Sequence, residues 1–177
     1  INNVEGDILD FELLEKILEL EQPEFIFHLA AQSLVKESYV NPLNTWNTNT
    51  IGTLTLLEAV RQSGIKTKII LITSDKCYDN VEWVWGYREN DRLGGPDPYS
   101  ASKGAAELVI SSYHRSFFSS GDVSIVSARA GNVIGGGDWA SDRIVPDCMK
   151  AWSKEEVVDL RKPNATRPWQ HVLEPLS

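Results

Sequence analysis

Apolar positions fall into two kinds of pattern along the chain. Phe11 to Leu18 spaces them at three and four residues, which predicts an amphipathic helix that Pro23 closes soon afterwards. Phe25-Ile26-Phe27-His28-Leu29 is instead a compact apolar run ending in the small residues Ala30-Ala31, as expected of a buried parallel strand whose C-terminal end faces a ligand. Lys68 to Thr73 repeats that pattern. Between these runs, Pro42 to Ser63 returns to helical spacing, with Leu54, Leu57 and Val60 on one face and Gly64 as its stop. A second long helix is predicted from about Pro98 to Phe118, stopped near Gly121, before the strand-like Val123 to Ser127. Strand, helix and strand in alternation predict an α/β fold built on a doubly wound parallel sheet. After Arg129 the pattern breaks into Gly131, Gly135, Gly136, Gly137 and Asp138 and then a polar stretch rich in Trp and Pro, expected to form loops and small elements leading out of the sheet.

Composition narrows the function classes. The 177 residues carry 25 acidic and 17 basic side chains, a formal charge of −8 without a long basic run, so binding along a nucleic acid backbone is not expected. A phosphate-bearing ligand must then be held by local groups. Cys77 and Cys148 stand far apart with no second pair, which argues against a disulfide framework and against a Cys-rich zinc site; no metal is expected, and the compartment reads as cytoplasmic. No apolar run reaches the roughly 18 residues of a membrane span, and no basic segment followed by an apolar one marks a signal peptide. The chain opens at Ile1 without Met and is expected to be cut from a longer protein at both ends.

Two short blocks carry the chemistry. In Tyr99-Ser100-Ala101-Ser102-Lys103 the Tyr and the Lys are four apart, so a helix projects both from one face. A phenol ordinarily titrates near 10, and an adjacent ammonium favours the phenolate, which equips Tyr99 to take a proton from a substrate hydroxyl. Such a pair also arises by chance as a solvated Lys beside a half-buried Tyr. At the end of the strand ending in Thr73 come Ser74, Asp75 and Lys76, which puts a hydroxyl, an acid and a potential base at the sheet edge where α/β folds bind ligands. A capped turn is the plain alternative, since Ser and Asp are good N-caps. The two blocks together favour an active site over either plain alternative.

With these blocks goes a wider likeness. Leu29 to Val35, Asn49 to Thr53, Thr73 to Tyr78, Trp83 to Gly95, Tyr99 to Lys103 and Gly135 to Ala140 together resemble the extended short-chain dehydrogenase/reductases, and among them the sugar-nucleotide dehydratases. The resemblance implies a Rossmann-like sheet, incomplete at the N-terminus, with residues 1–130 forming part of an NAD-binding core and 131–177 starting a small C-terminal substrate lobe. It implies NAD as cofactor, CDP-glucose as substrate, a homodimer in the full-length protein through the helices around Thr48–Val60 and Ser100–Phe118, and a place in deoxysugar and surface polysaccharide biosynthesis. Carried over residue by residue, Ser74 resembles the catalytic hydroxyl, Tyr99 the base and Lys103 its partner on the nicotinamide ribose. Asp7 and Ile8 resemble the pair at the adenine, Ala30, Ala31 and Gln32 resemble the turn passing beneath the cofactor, and the resemblance counts Leu29 and Thr73 among the cofactor-binding residues. Asn132, Arg143 and Arg167 match positions at the substrate nucleotide, where a guanidinium can fork onto phosphate. Asn49 is expected to support the backbone near the site, and Trp83 and Trp85 to pack rather than to stack on a base.

The implied reaction oxidises C4 of the glucose, eliminates water across C5 and C6, and returns the hydride to C6. Asp75 is the natural acid for the departing 6-hydroxyl and Lys76 the candidate C5 base. Related dTDP-glucose enzymes carry Glu where Lys76 stands, and a Lys must lose its charge before it acts as a base. A 4-epimerase or reductase of the same superfamily would share Ser74, Tyr99 and Lys103 without needing Asp75-Lys76. An inactive nucleotide-binding fragment is the other rival, because no Gly-rich dinucleotide turn lies upstream of Ile26. This stretch of chain alone is accordingly expected to bind NAD weakly or not at all.

Overall fold

The structure, a computed structural model, describes residues 2–119, 121–140, 142–160 and 163–177. It divides into two compact units, one up to Arg129 and one from Ala130. In the first, helix α1 (Phe11–Glu21) begins where the Asp10 carboxylate accepts the Leu13 N–H at 3.0 Å, satisfying a donor that the first turn leaves open. Strand β1 (Phe25–His28) follows, then the short helices α2 (Val35–Val40) and α3 (Pro42–Trp46). α3 runs through a π-helical turn, Asn47–Ile51, into α4 (Gly52–Ser63), so the predicted Pro42–Ser63 helix is continuous but widened in its middle. Gly64 ends it in the left-handed conformation at φ 62°, which a glycine adopts without a Cβ penalty. Strand β2 (Thr67–Ile72), helix α5 (Pro98–Tyr113) with a second π-helical turn at His114–Phe118, and strand β3 (Val123–Ala128) complete the unit.

The three strands pair in parallel in the order β1-β2-β3, with Ile26 beside Ile69 and Ile69 beside Ile125. Crossovers that step in one direction with right-handed sense all land on one face, and α1, α4 and α5 accordingly pack side by side there. Alternate strand residues point into this layer. Ile69 and Leu71 join Leu56, Leu57, Val60 and Ile110 in the core, and each such fully buried aliphatic contributes about 1.5–3 kcal/mol relative to exposure.

The opposite face departs from the sequence expectation of a buried strand at Phe25–Leu29. Phe25, Phe27 and Leu29 are exposed, Phe27 at 59%, and so is Val126 two strands away. An unbroken apolar run suggests cover on both sides, as a doubly wound sheet provides, whereas the described residues supply helices to one side only.

The second unit contains the small elements expected among the loops after Arg129. Strand β4 (Asn132–Ile134) pairs in parallel with β5 (Trp169–His171), joined through α6 (Ile144–Trp152), and α7 (Leu173–Leu176) follows. Two strands of three residues are too short to show a period in sequence.

Candidate active site

β2 delivers Thr73 and Ser74 at its C-terminal edge, where Ser74 caps a 3₁₀ turn formed by Asp75–Cys77. The Ser74 hydroxyl accepts the Lys76 N–H at 3.2 Å and donates to Asp75 Oδ1 at 3.1 Å. Ser74 is buried, while Asp75 and Lys76 are half-buried beside it. The plain alternative of a capped turn is thus present in the geometry, and the same hydroxyl holds the Asp75 carboxylate beside it.

α5 is started by Asp97, which accepts Ser100 N–H at 3.0 Å and Ser100 Oγ–H at 2.7 Å. That start puts Tyr99 in the first turn and Lys103 in the next, both buried on the face turned inward, Lys103 at 5% exposure. The chance reading of the pair, a solvated Lys, does not hold. Gly104 lets this face approach the 3₁₀ turn: a Cβ there would lie 2.9 Å from Gly94 N and 3.2 Å from Cys77 O, closer than real side chains come to backbone. Helix α5, which carries Tyr99 and Lys103, is therefore packed against the 3₁₀ turn Asp75–Cys77.

Burial lowers the Lys103 ammonium from its ordinary range, an effect that Glu107 partly offsets. The same burial lowers His28 on β1 to about 4, with the Lys103 charge adding to it. Cys77 is pushed up to about 12 by burial and stays a neutral thiol. Asn49, carried by the first π-helical turn, is buried and joins two segments: its Oδ1 accepts the Gln32 N–H at 2.9 Å, and its Nδ2 donates to the Gln32 carbonyl at 3.1 Å and to Ser102 Oγ at 3.0 Å. Ser102 Oγ in turn donates to the Tyr99 carbonyl at 2.7 Å, so the turn after β1 is tied to the helix end that carries Tyr99.

Of the residues assigned to the cofactor, Leu29 and Ala30 are exposed and Ala31 and Gln32 half-buried at the edge of β1, with Thr73 buried beside Ser74. Asp7 closes a turn before α1 by accepting Leu9 N–H at 2.9 Å, and Ile8 packs on Gly52 and the core. In the second unit, Asn132 opens β4, Arg143 precedes α6 and pairs with Asp138 at 3.4 Å, and the exposed Arg167 donates to the Thr166 carbonyl at 2.6 Å. Those three are held by local contacts within that unit.

The expectation that Trp83 and Trp85 pack is met in part. Trp83 lies against Tyr87, ring centroids 5.4 Å apart, whereas Trp85 is 72% exposed and lines a shallow cleft of about 340 Å³ with Trp83, Gly86, Arg88 and Asp91.

Sequence reasoning missed Glu107. It is buried at 4% exposure and accepts hydrogen bonds from Thr73 Oγ1, from Ser127 Oγ at 2.9 Å and from Arg129 Nε and Nη2, each at 2.8 Å. Burial pushes its carboxyl up, but the bonds from Arg129, Thr73 and Ser127 outweigh that and hold it below the usual carboxylate range. The signal was in the spacing: Tyr99, Lys103 and Glu107 are successive residues at four, on one face of one helix.

A parallel sheet with polar groups at its strand ends, and a Tyr and Lys on the adjoining helix, is the arrangement of an α/β protein that binds its ligand at the carboxyl edge of the sheet. The sequence profile of the GDP-mannose 4,6 dehydratase family matches residues 1–176, and the chain belongs to that family. It is 55% identical over 177 residues to the CDP-glucose 4,6-dehydratase of Salmonella typhimurium, an alignment covering 97% of this chain and 49% of that protein. Among solved structures, the dTDP-glucose 4,6-dehydratase of Streptomyces venezuelae with NAD bound superposes with a TM-score of 0.83 at 27% identity, covering 95% of this chain and 50% of that one. The UDP-glucose 4-epimerase of Thermotoga maritima, with UDP-glucose, gives a TM-score of 0.84 at 27% identity over 97% of this chain and 55% of that one. The chain spans about half the length of the relatives it matches.

Proposed function

We propose that this chain carries the proton-transfer groups of an NAD-dependent CDP-glucose 4,6-dehydratase, which converts its substrate to the 4-keto-6-deoxy sugar nucleotide. The observation that carries the reading is that helix α5, with Tyr99 and Lys103 both buried on it, packs directly against the 3₁₀ turn that follows Ser74 and carries Asp75 and Lys76. A dehydratase needs both sets of groups, whereas oxidation and reduction at C4 alone need only the first. The 55% identity to the Salmonella enzyme supports cytidine as the base.

The residues present fit the nicotinamide end of a dinucleotide. Lys103 offers a buried ammonium donor beside Tyr99, and Ala30 and Ala31 are small enough for close backbone approach at the edge of β1. When bound, NAD supplies the acceptor for the C4 hydride and its return to C6. Tyr99 takes the proton of the 4-hydroxyl while Ser74 hydrogen-bonds the same oxygen and the Lys103 charge favours the phenolate. With C4 a ketone, Lys76 removes the C5 proton and Asp75 gives a proton to the 6-hydroxyl, which leaves as water. Asn132, Arg143 and Arg167 are assigned to the substrate nucleotide, with Asp7, Ile8, Leu29, Gln32 and Thr73 toward the cofactor.

In the full-length enzyme, Lys76→Met should stop formation of the 4-keto-6-deoxy product and solvent deuterium exchange at C5 while NAD still binds; unchanged exchange removes Lys76 from its role. Tyr99→Phe should abolish the first oxidation. A 4-epimer as the wild-type product would favour the epimerase reading. We place the enzyme in the cytoplasm as a homodimer. The free thiols of Cys77 and Cys148 support the first, and exposed Ile51 and Leu108 within the stretches Thr48–Val60 and Ser100–Phe118 support the second. No helix among the described residues is long and apolar enough to cross a membrane.

A further inference from the structure

The Glu107 carboxylate is a point at which three parts of the candidate site meet. It rises from the same face of α5 as Tyr99 and Lys103. Thr73, which donates to it, immediately precedes Ser74 at the end of β2 and is itself bonded to β3 through its N–H on the Ala128 carbonyl at 2.9 Å. Ser127 and Arg129 donate from β3. Arg129 then reaches past the sheet, with Nη1 donating to Tyr78 Oη at 2.8 Å and to the Glu89 carbonyl at 3.1 Å, and its guanidinium lies 5.0 Å from the Tyr78 ring centre. Four donors converge on two oxygens, so the carboxylate has little freedom to shift without breaking bonds in a buried setting, where an unmet polar group is costly.

We propose that Glu107 is a positioning residue of the active site: through Thr73 on one side and the shared α5 face on the other, it sets Ser74 at its working distance from Tyr99 and Lys103. Through Arg129 the same carboxylate carries the segment from Tyr78 to Glu89 along with the catalytic turn. Glu107 also acts on Lys103 by charge. The titratable and charged groups that act on this pair are Arg129 from the end of β3, Cys77 from the 3₁₀ turn and His28 from β1, with Tyr78 bonded to Arg129 and Asp75 acting on Cys77 behind them. Cys77 remains a neutral thiol, which leaves Glu107 as the negative charge that raises Lys103 against the effect of burial.

The inference rests on the dehydratase reading of the site, and its test separates the two. In the full-length enzyme, Glu107→Gln keeps the shape but loses the charge and half of the acceptor capacity. kcat should fall about tenfold or more, the cost of a small misplacement of reacting groups, with KM little changed. The alkaline limb of the kcat profile should move to lower pH, because Lys103 gives up its proton earlier. Glu107→Asp should restore part of kcat and return the limb toward its original place. Loss of activity only in proportion to loss of folded protein, with the limb unmoved, would overturn the proposal in favour of a structural role. Should Glu107→Gln alone not fold, Glu107→Gln with Arg129→Met removes both buried charges and is expected to move the limb in the same direction by a smaller amount, because loss of the Arg129 cation opposes loss of the carboxylate; an unmoved limb there counts against the proposal. If the wild type makes no dehydrated product, the functional reading falls. The inference is then judged by NMR titration of the Lys103 Nζ resonance, which Glu107→Gln must lower if the charge acts as stated.

Discussion

The two faces of the parallel sheet are built from the same three strands and differ in everything that follows from cover. On the helix side, Ile69 and Leu71 alternate into a core with Leu57 and Val60; on the other, Phe25, Phe27 and Val126 face outward from neighbouring positions of the same register. A strand supplies side chains to both faces in strict alternation, so its apolar content says how much cover the sheet can use, and only the crossovers say on which side cover arrives.

The comparison can be broken most directly by truncating one side chain on each face. Leu71→Ala, at a position with 0% exposure, should cost roughly 2–5 kcal/mol through lost transfer energy and the cavity left behind, whereas Phe27→Ala in this chain should cost under about 1 kcal/mol. Urea unfolding midpoints of the two variants measure this, and similar losses would mean that the outer face is covered in solution.

A second test uses His28, which points to the covered face from β1. Thr53 Oγ1 spends its proton on the Asn49 carbonyl at 2.8 Å, so His28 Nε2 is the donor in the 3.1 Å bond to Thr53, and the ring is neutral with Nδ1 bare. Its folded value of about 4 lies below the ordinary 6.5, so the unfolded chain takes up the proton first as pH falls. Stability from this group is full above 6.5 and is lost as pH falls through about 4, roughly 3 kcal/mol in all. His28→Gln should flatten that part of the stability curve measured by urea titration at stepped pH. An unaltered curve would place the acid sensitivity elsewhere.

The smallest effect sharpens the picture of the covered face. Thr67 Oγ1 is buried there without a hydrogen-bond partner among the described residues. Thr67→Val keeps the shape and removes the unmet hydroxyl, and should raise stability by about 1 kcal/mol in thermal unfolding. A loss of stability instead would indicate a partner such as bound water.

The long elements were legible because their periods are long: α1, α4 and α5 and all three main strands occur where spacing puts them, with ends within a few residues. α2 was not, since its six residues follow Leu34, which offers no side-chain cap, and span fewer than two helical turns. The bare face was hidden because an apolar run such as Phe25–Leu29 looks the same whether one side or both are covered. In the site, Tyr99, Lys103 and Ser74 stand out because their residue types are chemically unusual at a strand end and helix start. Glu107 did not, because an acid in a helix is ordinary until the strands bring Thr73, Ser127 and Arg129 to it from distant parts of the chain.

The π-helical turn at Asn47–Ile51 sets a rule of length. Such a turn is an α-helix holding one surplus residue, and here the surplus falls where Asn49 meets Gln32 and Ser102. Deleting any one residue from this stretch would relax the helix to its ordinary winding, yet would swing everything on one side of the deletion by about 100° relative to the other. A natural or engineered variant that is shorter by one here would therefore keep a good helix and lose the join beneath Tyr99, making the residue count of this turn as restrictive as its composition.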